Sequence, residues 1–240
     1  MTHATARTTV RDIVTDDFRA AAIFERHGID FCCGGQQSLD EACRAAGVGR
    51  DVVLEELGAL AASPTTPAPR YAEWGPAFLV DYIVANHHAY VRRALPIVDG
   101  HAQKVAEKHG PRHPELVEIA RIFAGVVSEM TQHMMKEEQI LFPYIKALVS
   151  RASDGCPSTP SPFGTVRNPI RMMEMEHESA GGAMQRIREL SRGYAPPDDA
   201  CTTYRAMLHE LQEFELDLHQ HVHLENNILF PRAVALEDGE

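Results

Sequence analysis

Residues 133–143 read HMMKEEQILFP, and residues 221–231 read HVHLENNILFP. Both fit the pattern His-x-x-x-Glu-x-x-x-Leu-Phe-Pro, an internal repeat. A His and a Glu four residues apart on a helix stack on the same face. Outward from these pairs, Val126, Met130, His133, Glu137 and Ile140 recur at alternating steps of four and three. Leu211, Phe214, Leu218, His221, Glu225 and Ile228 do the same. Both His/Glu pairs are therefore predicted on the apolar stripe of a helix, facing a core. A carboxylate in a bundle interior is costly unless something compensates for it. One buried His–Glu hydrogen bond would be ordinary; two, in duplicated motifs, point to bound cations.

Two further segments carry core-facing histidines. Ile170, Met173, His177, Ala180, Met184 and Ile187 share one helical face. Val84, His88, Val91 and Leu95 share another, while the neighbouring His87 lies beside Val80, Ile83 and Val91. Periodicity alone does not separate His87 from His88. The repeat favours His88, which precedes His133 by nearly the interval between His177 and His221. Four histidines and two glutamates then suit a compact dinuclear site, with two terminal His on each metal and two bridging Glu. Nitrogen and oxygen ligands without thiolate suit iron or manganese, leave zinc open, and argue against a structural zinc site. A ferritin-type site would need Glu-x-x-His on two helices. Only Glu174-x-x-His177 has that form, and Glu174 is off the stripe. His101, His109, His113, His209, His219 and His223 are expected to be polar bystanders; His209 shows no carboxylate at ligand spacing.

Pro- and Gly-rich breaks at 61–74, 150–164 and 193–199, with a polar stretch from His101 to Pro114, divide the chain. They leave a helical N-terminal unit, residues 1–60, a linker, 61–75, and four helix-length segments within 76–236. The fold class is all-α, an antiparallel four-helix bundle. The proline-rich linker predicts that the N-terminal unit is a tethered module outside the bundle core. Within it, Thr15 or Asp16 can cap a helix carrying Phe18, Ala22 and Ile23. Ser38 and Glu41 have the form of a capping box, and Val52, Val53, Leu57 and Leu60 form a last amphipathic stretch. Cys32-Cys33 is followed by Gly34-Gly35, which lets the backbone turn sharply and expose the thiols. The pair reads either as reactive or metal-transferring thiols or as small buried residues near a turn. Cys43, Cys156 and Cys201 read as incidental, and Pro143 and Pro231 should bend or end their helices.

The chain has 240 residues, 34 acidic and 23 basic side chains, and a formal net charge of -11. That balance argues against nucleic acid as the partner. No apolar run is long enough for a membrane helix, and no secretory signal is visible, so a membrane role is not expected. Five cysteines without a disulfide-like spacing suit a reducing cytoplasm.

Together, Asp30-Phe31-Cys32-Cys33-Gly34-Gly35, HMMKEEQILFP, MEMEHE and HLENNILFP resemble the bacterial repair of iron centres family. The resemblance covers nearly the whole chain. It implies a hemerythrin-like bundle behind a small helical signature domain. It further implies two iron ions in a non-haem di-iron centre with an oxo or hydroxo bridge, bound by His88, His133, Glu137, His177, His221 and Glu225. Among the histidines it selects His88 over His87. The implied role is mending iron–sulfur clusters damaged by nitric oxide or peroxide, by supplying iron, with Cys32 and Cys33 as transfer thiols. Damaged iron–sulfur proteins are the implied partners and nitric oxide a ligand; a homodimer stays open. The rival readings are a sink or sensor for nitric oxide and an enzyme reducing it to nitrous oxide. An iron donor or gas-binding protein is expected before a classical enzyme. Oxygen-carrying hemerythrins use more histidines, so oxygen transport is not expected.

Overall fold

Thr9 and Ser38 each open a helix with a reciprocal cap: the hydroxyl accepts the N–H of Asp12 or Glu41, whose carboxylate accepts the cap's own N–H. The helices are α1 (Val10–Asp16) and α3 (Leu39–Ala46), between which lies α2 (Ala21–Arg26); α4 (Arg50–Ala62) follows. The Ser38 box is the one predicted. The cap ahead of Phe18 is Asp17, not Thr15 or Asp16; its carboxylate accepts the N–H of Arg19 at 3.0 Å. In α4, Val53 is buried and Leu57 and Leu60 half-buried, but Val52 faces solvent. The computed structural model describes residues 8–63, 69–154, 161 and 163–239. Among these no strand occurs; a lone bridge joins Thr9 to Ser38.

The bundle follows. Its first rod joins α5 (Pro76–Ile83) to α6 (Ala89–His109), its second α7 (Glu115–Lys136) to α8 (Phe142–Asp154); α9 (Arg167–Leu190) is the third; α10 (Thr202–His223) and α11 (Phe230–Asp238) form the fourth. The polar stretch from His101 is not a connection. Val98, Ala102 and Val105 keep the helical period and are buried, so α6 runs to His109. The second break begins later than expected, since α8 reaches Asp154; Cys156 lies outside the described residues.

Three rods contain a π-helical turn where their segments join: Val84–His88, Glu137–Leu141 and Leu224–Leu229. The prolines do not end the helices. Each helix widens by one π turn and resumes at Phe142 or Phe230, so that Pro143 or Pro231 stands in a first turn, where a missing N–H is tolerated. The extra residue also shifts the phase. Ile140, predicted on the stripe, is 50% exposed, and Leu141 takes its place in the core.

Two apolar clusters fill the molecule. One contains Val91, Phe123, Met130, Met184 and Phe214; the other contains Leu79, Ile83, Phe142, Ile170 and Phe230. His88, His133, Glu137, His177, His221 and Glu225 fall where the rods pass from one cluster to the other. The N-terminal unit is not a detached module. Phe24, Phe31 and Leu39 belong to the same cluster as Phe214 and Val222. Tyr71, within the predicted linker, is buried and accepts a hydrogen bond from Gln220 at 2.6 Å, while Arg232 donates to the carbonyls of Ala72 and Trp74. A unit this small cannot cover its own aromatic residues. Residues 64–68 of the linker lie outside the described residues.

Candidate metal centre

All six predicted ligands meet in one buried layer. His88, Glu137, His221 and Glu225 have ligand atoms within 4.8 Å of one another, and so do His133, Glu137, His177 and Glu225. Both glutamates belong to both groups. Each histidine turns Nε2 inward: His133 Nε2 is 3.2 Å from Glu137 Oε2, His88 Nε2 3.3 Å from the same oxygen, His177 Nε2 3.1 Å from Glu225 Oε2, and His221 Nε2 3.1 Å from Glu225 Oε1. His87 does not join them. It stacks on the His221 ring, centroids 5.5 Å apart, and its Nδ1 lies 2.9 Å from Asp217. The π turn at 84–88 is the physical source of the His87/His88 ambiguity, because it brings both residues into the interior.

The outward Nδ1 atoms define the chemistry of the inward ones. His88 donates to Glu138 at 2.6 Å, His133 to Glu176 at 2.9 Å, and His177 to Asn226 at 2.8 Å. A neutral ring that donates from Nδ1 presents a bare lone pair at Nε2. Yet the Nε2 atoms of His88 and His221 face each other at 3.2 Å, and those of His133 and His177 at 3.0 Å. Two lone pairs so close repel unless a proton or a cation lies between them. The glutamates make the same demand: both oxygens of Glu137 and Oε2 of Glu225 are buried without a hydrogen-bond partner. Four imidazole nitrogens, two carboxylates and no thiolate suit iron. Burial opposes charge on His133, but Glu137, Glu225 and Glu176 outweigh it and hold its pKa up to about 9. Burial also opposes charge on Glu225; the adjacent His221 and His177 hold its carboxyl well below the usual range.

Sequence comparison sets this site among known proteins. Residues 79–233 match the hemerythrin HHE cation binding domain, and residues 6–61 match a domain of unknown function (DUF542). The iron-sulfur cluster repair protein YtfE of Salmonella schwarzengrund (strain CVM19633) is 36% identical over 219 residues, 91% of this chain and 93% of that protein. Proteins of the same name from Yersinia pestis (strain Pestoides F) and Yersinia pseudotuberculosis serotype O:1b (strain IP 31758) are each 35% identical over 216 residues, 90% of this chain and 91% of theirs. The chain belongs to the repair of iron centres family. No helix among its described residues is long and apolar enough to cross a membrane.

In this family member the vicinal cysteines sit in a tight turn organised by Asp30. Its carboxylate accepts the N–H groups of Cys32, Cys33 and Gly34 at 3.0, 2.9 and 2.9 Å, and the Cys32 thiol at 3.3 Å. The two sulfurs are 3.9 Å apart and unbonded. Contrary to the exposure predicted from Gly34-Gly35, Cys32 is buried and Cys33 half-buried. A hydrogen bond to Cys33, then burial, pushes the Cys32 thiol well up. Gly35 is needed for close approach: a Cβ there would lie 2.7 Å from the Phe31 carbonyl. The turn borders a cavity of about 430 Å³ shared with Gly181 and Gly182 of α9.

The remaining histidines stay outside the six-residue layer. His101 pairs with Glu210, His113 with Asp199, and His219 with Glu25. His209 does have a carboxylate one turn on, Glu213 at 3.5 Å, but both are exposed. His223 is buried against Phe18 and Phe31, and burial drives its pKa down to about 3. It faces the N-terminal unit, a role the spacing did not suggest. Glu138, Glu176 and Asn226 also went unpredicted. Each adjoins a predicted ligand in sequence, which was the available signal, but a regular helix aims neighbours about 100° apart and gave no reason to link them.

Proposed function

We propose that this chain holds two iron ions between His88, His133, Glu137, His177, His221 and Glu225, with both glutamates shared, and serves the repair of damaged iron–sulfur clusters in the cytoplasm. The observation that carries the reading is the pair of four-residue groups with both carboxylates in common. Support for the role comes from relatives named as iron-sulfur cluster repair proteins that align over nine-tenths of the chain. Iron held there supplies the metal that a damaged cluster has lost. The chain's own part is to orient and shelter the site. Glu138, Glu176 and Asn226 keep a proton on the outward nitrogens of three histidines. The rings of Phe142 and Phe230 stack on His88 and His177, with centroids 5.6 and 6.1 Å away, and keep water off. Cys32 and Cys33 dock the client or pass iron to it.

The test is to load the chain with ferrous iron and mix it with a protein whose cluster nitric oxide has damaged. The expected result is two irons per chain at the start, a restored cluster, and iron lost from the chain. Gas binding without transfer, or turnover of nitric oxide to nitrous oxide, would replace this reading with one of its rivals.

A further inference from the structure

One of the differences between the two repeats lies immediately after the ligand Glu, and it reaches the N-terminal unit. Aligned on their His and Glu residues, Glu138 of the first repeat corresponds to Asn226 of the second. The two do the same work on the second and fourth rods. Glu138 accepts the Nδ1–H of His88 at 2.6 Å, and Asn226 Oδ1 accepts that of His177 at 2.8 Å. A carboxylate has no proton left to donate; an amide has two. With Oδ1 committed to His177, the amide has one orientation, and Nδ2 lies 3.4 Å from the carbonyl of Cys32. Asn227 reinforces the contact, donating to the carbonyls of Phe31 at 3.0 Å and Cys32 at 3.4 Å. One side chain thus joins the backbone of the vicinal cysteines to the ring that faces the centre.

We propose that Asn226 is a positioning residue that couples docking of the Cys32–Cys33 turn to the holding of metal at the His133–His177 pair. The inference rests on the reading of His177 as a metal ligand. Metal at Nε2 requires the proton on Nδ1. That proton fixes the amide of Asn226, and the fixed amide holds the Cys32 carbonyl. Coupling of this kind acts in both directions. A docked turn steadies His177, and metal on His177 keeps the turn docked and its thiols covered. The effect is confined to one pair. His88 and His133 are held by carboxylates, and His221 Nδ1 has no hydrogen-bond partner among the described residues.

The experiment uses the full chain loaded with ferrous iron and two readouts: release of iron to a ferrous chelator, and alkylation of Cys33 by iodoacetamide, followed by peptide mass spectrometry. In Asn226→Ala both bonds are lost. Release of one of the two irons should quicken by about 10- to 100-fold, the usual effect of removing an outer partner, and Cys33 should alkylate faster. Asn226→Asp restores an acceptor for His177 but has no donor for Cys32. It should recover slow iron release and keep fast alkylation, a separation that a merely structural role would not produce. The iron-free wild type should also alkylate faster than the loaded one. Wild-type alkylation in Asn226→Asp, or wild-type release of both irons from Asn226→Ala, overturns the inference alone. A wild-type chain that takes up no iron overturns the metal reading and the inference with it.

Discussion

Raising the pH of the iron-free chain through the neutral range should destabilise it, an unusual direction for an acidic protein. Glu137 and Glu225 are fully buried, and histidine rings lie nearest them, His133 against Glu137 and His221 against Glu225. His133 carries the clearest effect. Its Nε2 lies 3.2 Å from Glu137 and its Nδ1 2.9 Å from Glu176, and its pKa is raised from 6.5 to about 9. A raised folded pKa gives stability that is complete below the unfolded value and is lost as pH climbs to the folded one. At about 1.4 kcal/mol per unit, the span from 6.5 to about 9 corresponds to roughly 3 kcal/mol. The glutamates act in the opposite sense. Their folded pKa values are depressed below 4.5, so their contribution is present above that value and fades as pH falls below it. His223 adds to the loss on the acid side. Burial drives its pKa from 6.5 down to about 3, so its contribution is present above 6.5 and fades as pH falls below it. The iron-free chain should therefore be most stable near pH 6.5.

Urea unfolding followed by helical circular dichroism, repeated across this range, measures the effect. Stability that stays flat or rises between pH about 6.5 and 9 would refute the electrostatic account. Iron should reverse the trend, because metal at Nε2 displaces the protons that compete with it. A His133 pKa near 9 also places the start of that competition well above the value near 6.5 expected for an ordinary histidine.

Three further outcomes are expected. Glu137→Ala or Glu225→Ala, each removing a carboxylate common to both groups, should lose at least one iron per chain; metal analysis that still finds two would show that neither is shared. Changing Cys32 and Cys33 together to Ser should leave iron content intact, since neither touches the six-residue layer, and impair cluster repair; repair at the wild-type rate would make them packing residues. Gly35→Ala puts a Cβ 2.7 Å from the Phe31 carbonyl and should destabilise by about 1–3 kcal/mol; an unchanged urea midpoint would mean that the turn yields at no cost.

The six-residue layer was legible because its residues keep step with apolar neighbours over several turns. His177 is an example: Ile170, Met173, Ala180 and Met184 flank it at helical intervals, and all are buried. Along the rods that carry the layer the period fails at a π turn. A fixed period points Ile140 inward and passes over Leu141, since it cannot register one extra residue. The same turns hid Glu138 and Asn226. Pro143 and Pro231 marked both places, but a proline announces a disturbance without saying whether the helix will end, kink or widen. Docking of the N-terminal unit was illegible for a different reason. Phe18, Phe31 and His223 meet across a long stretch of chain, and nothing in local spacing pairs them.

The placement of the polar layer bears on what the chain could do with a metal held there. A protein that releases iron must survive the release, unlike small domains that unfold without their metal. Here the layer lies between two apolar clusters. On one side Phe123 and Phe214 meet edge to face at 5.3 Å, both fully buried. On the other, Leu79, Ile83, Phe142 and Phe230 are buried just as deeply. On the proposed reading an emptied layer leaves two buried carboxylates, and His133, with its pKa up to about 9, can carry a proton beside Glu137. Exchange of iron for a proton at such a site would then need no unfolding. On the coupling proposed above, it would call for the turn bearing Cys32 to loosen its hold on Asn226, a smaller opening than separation of the rods.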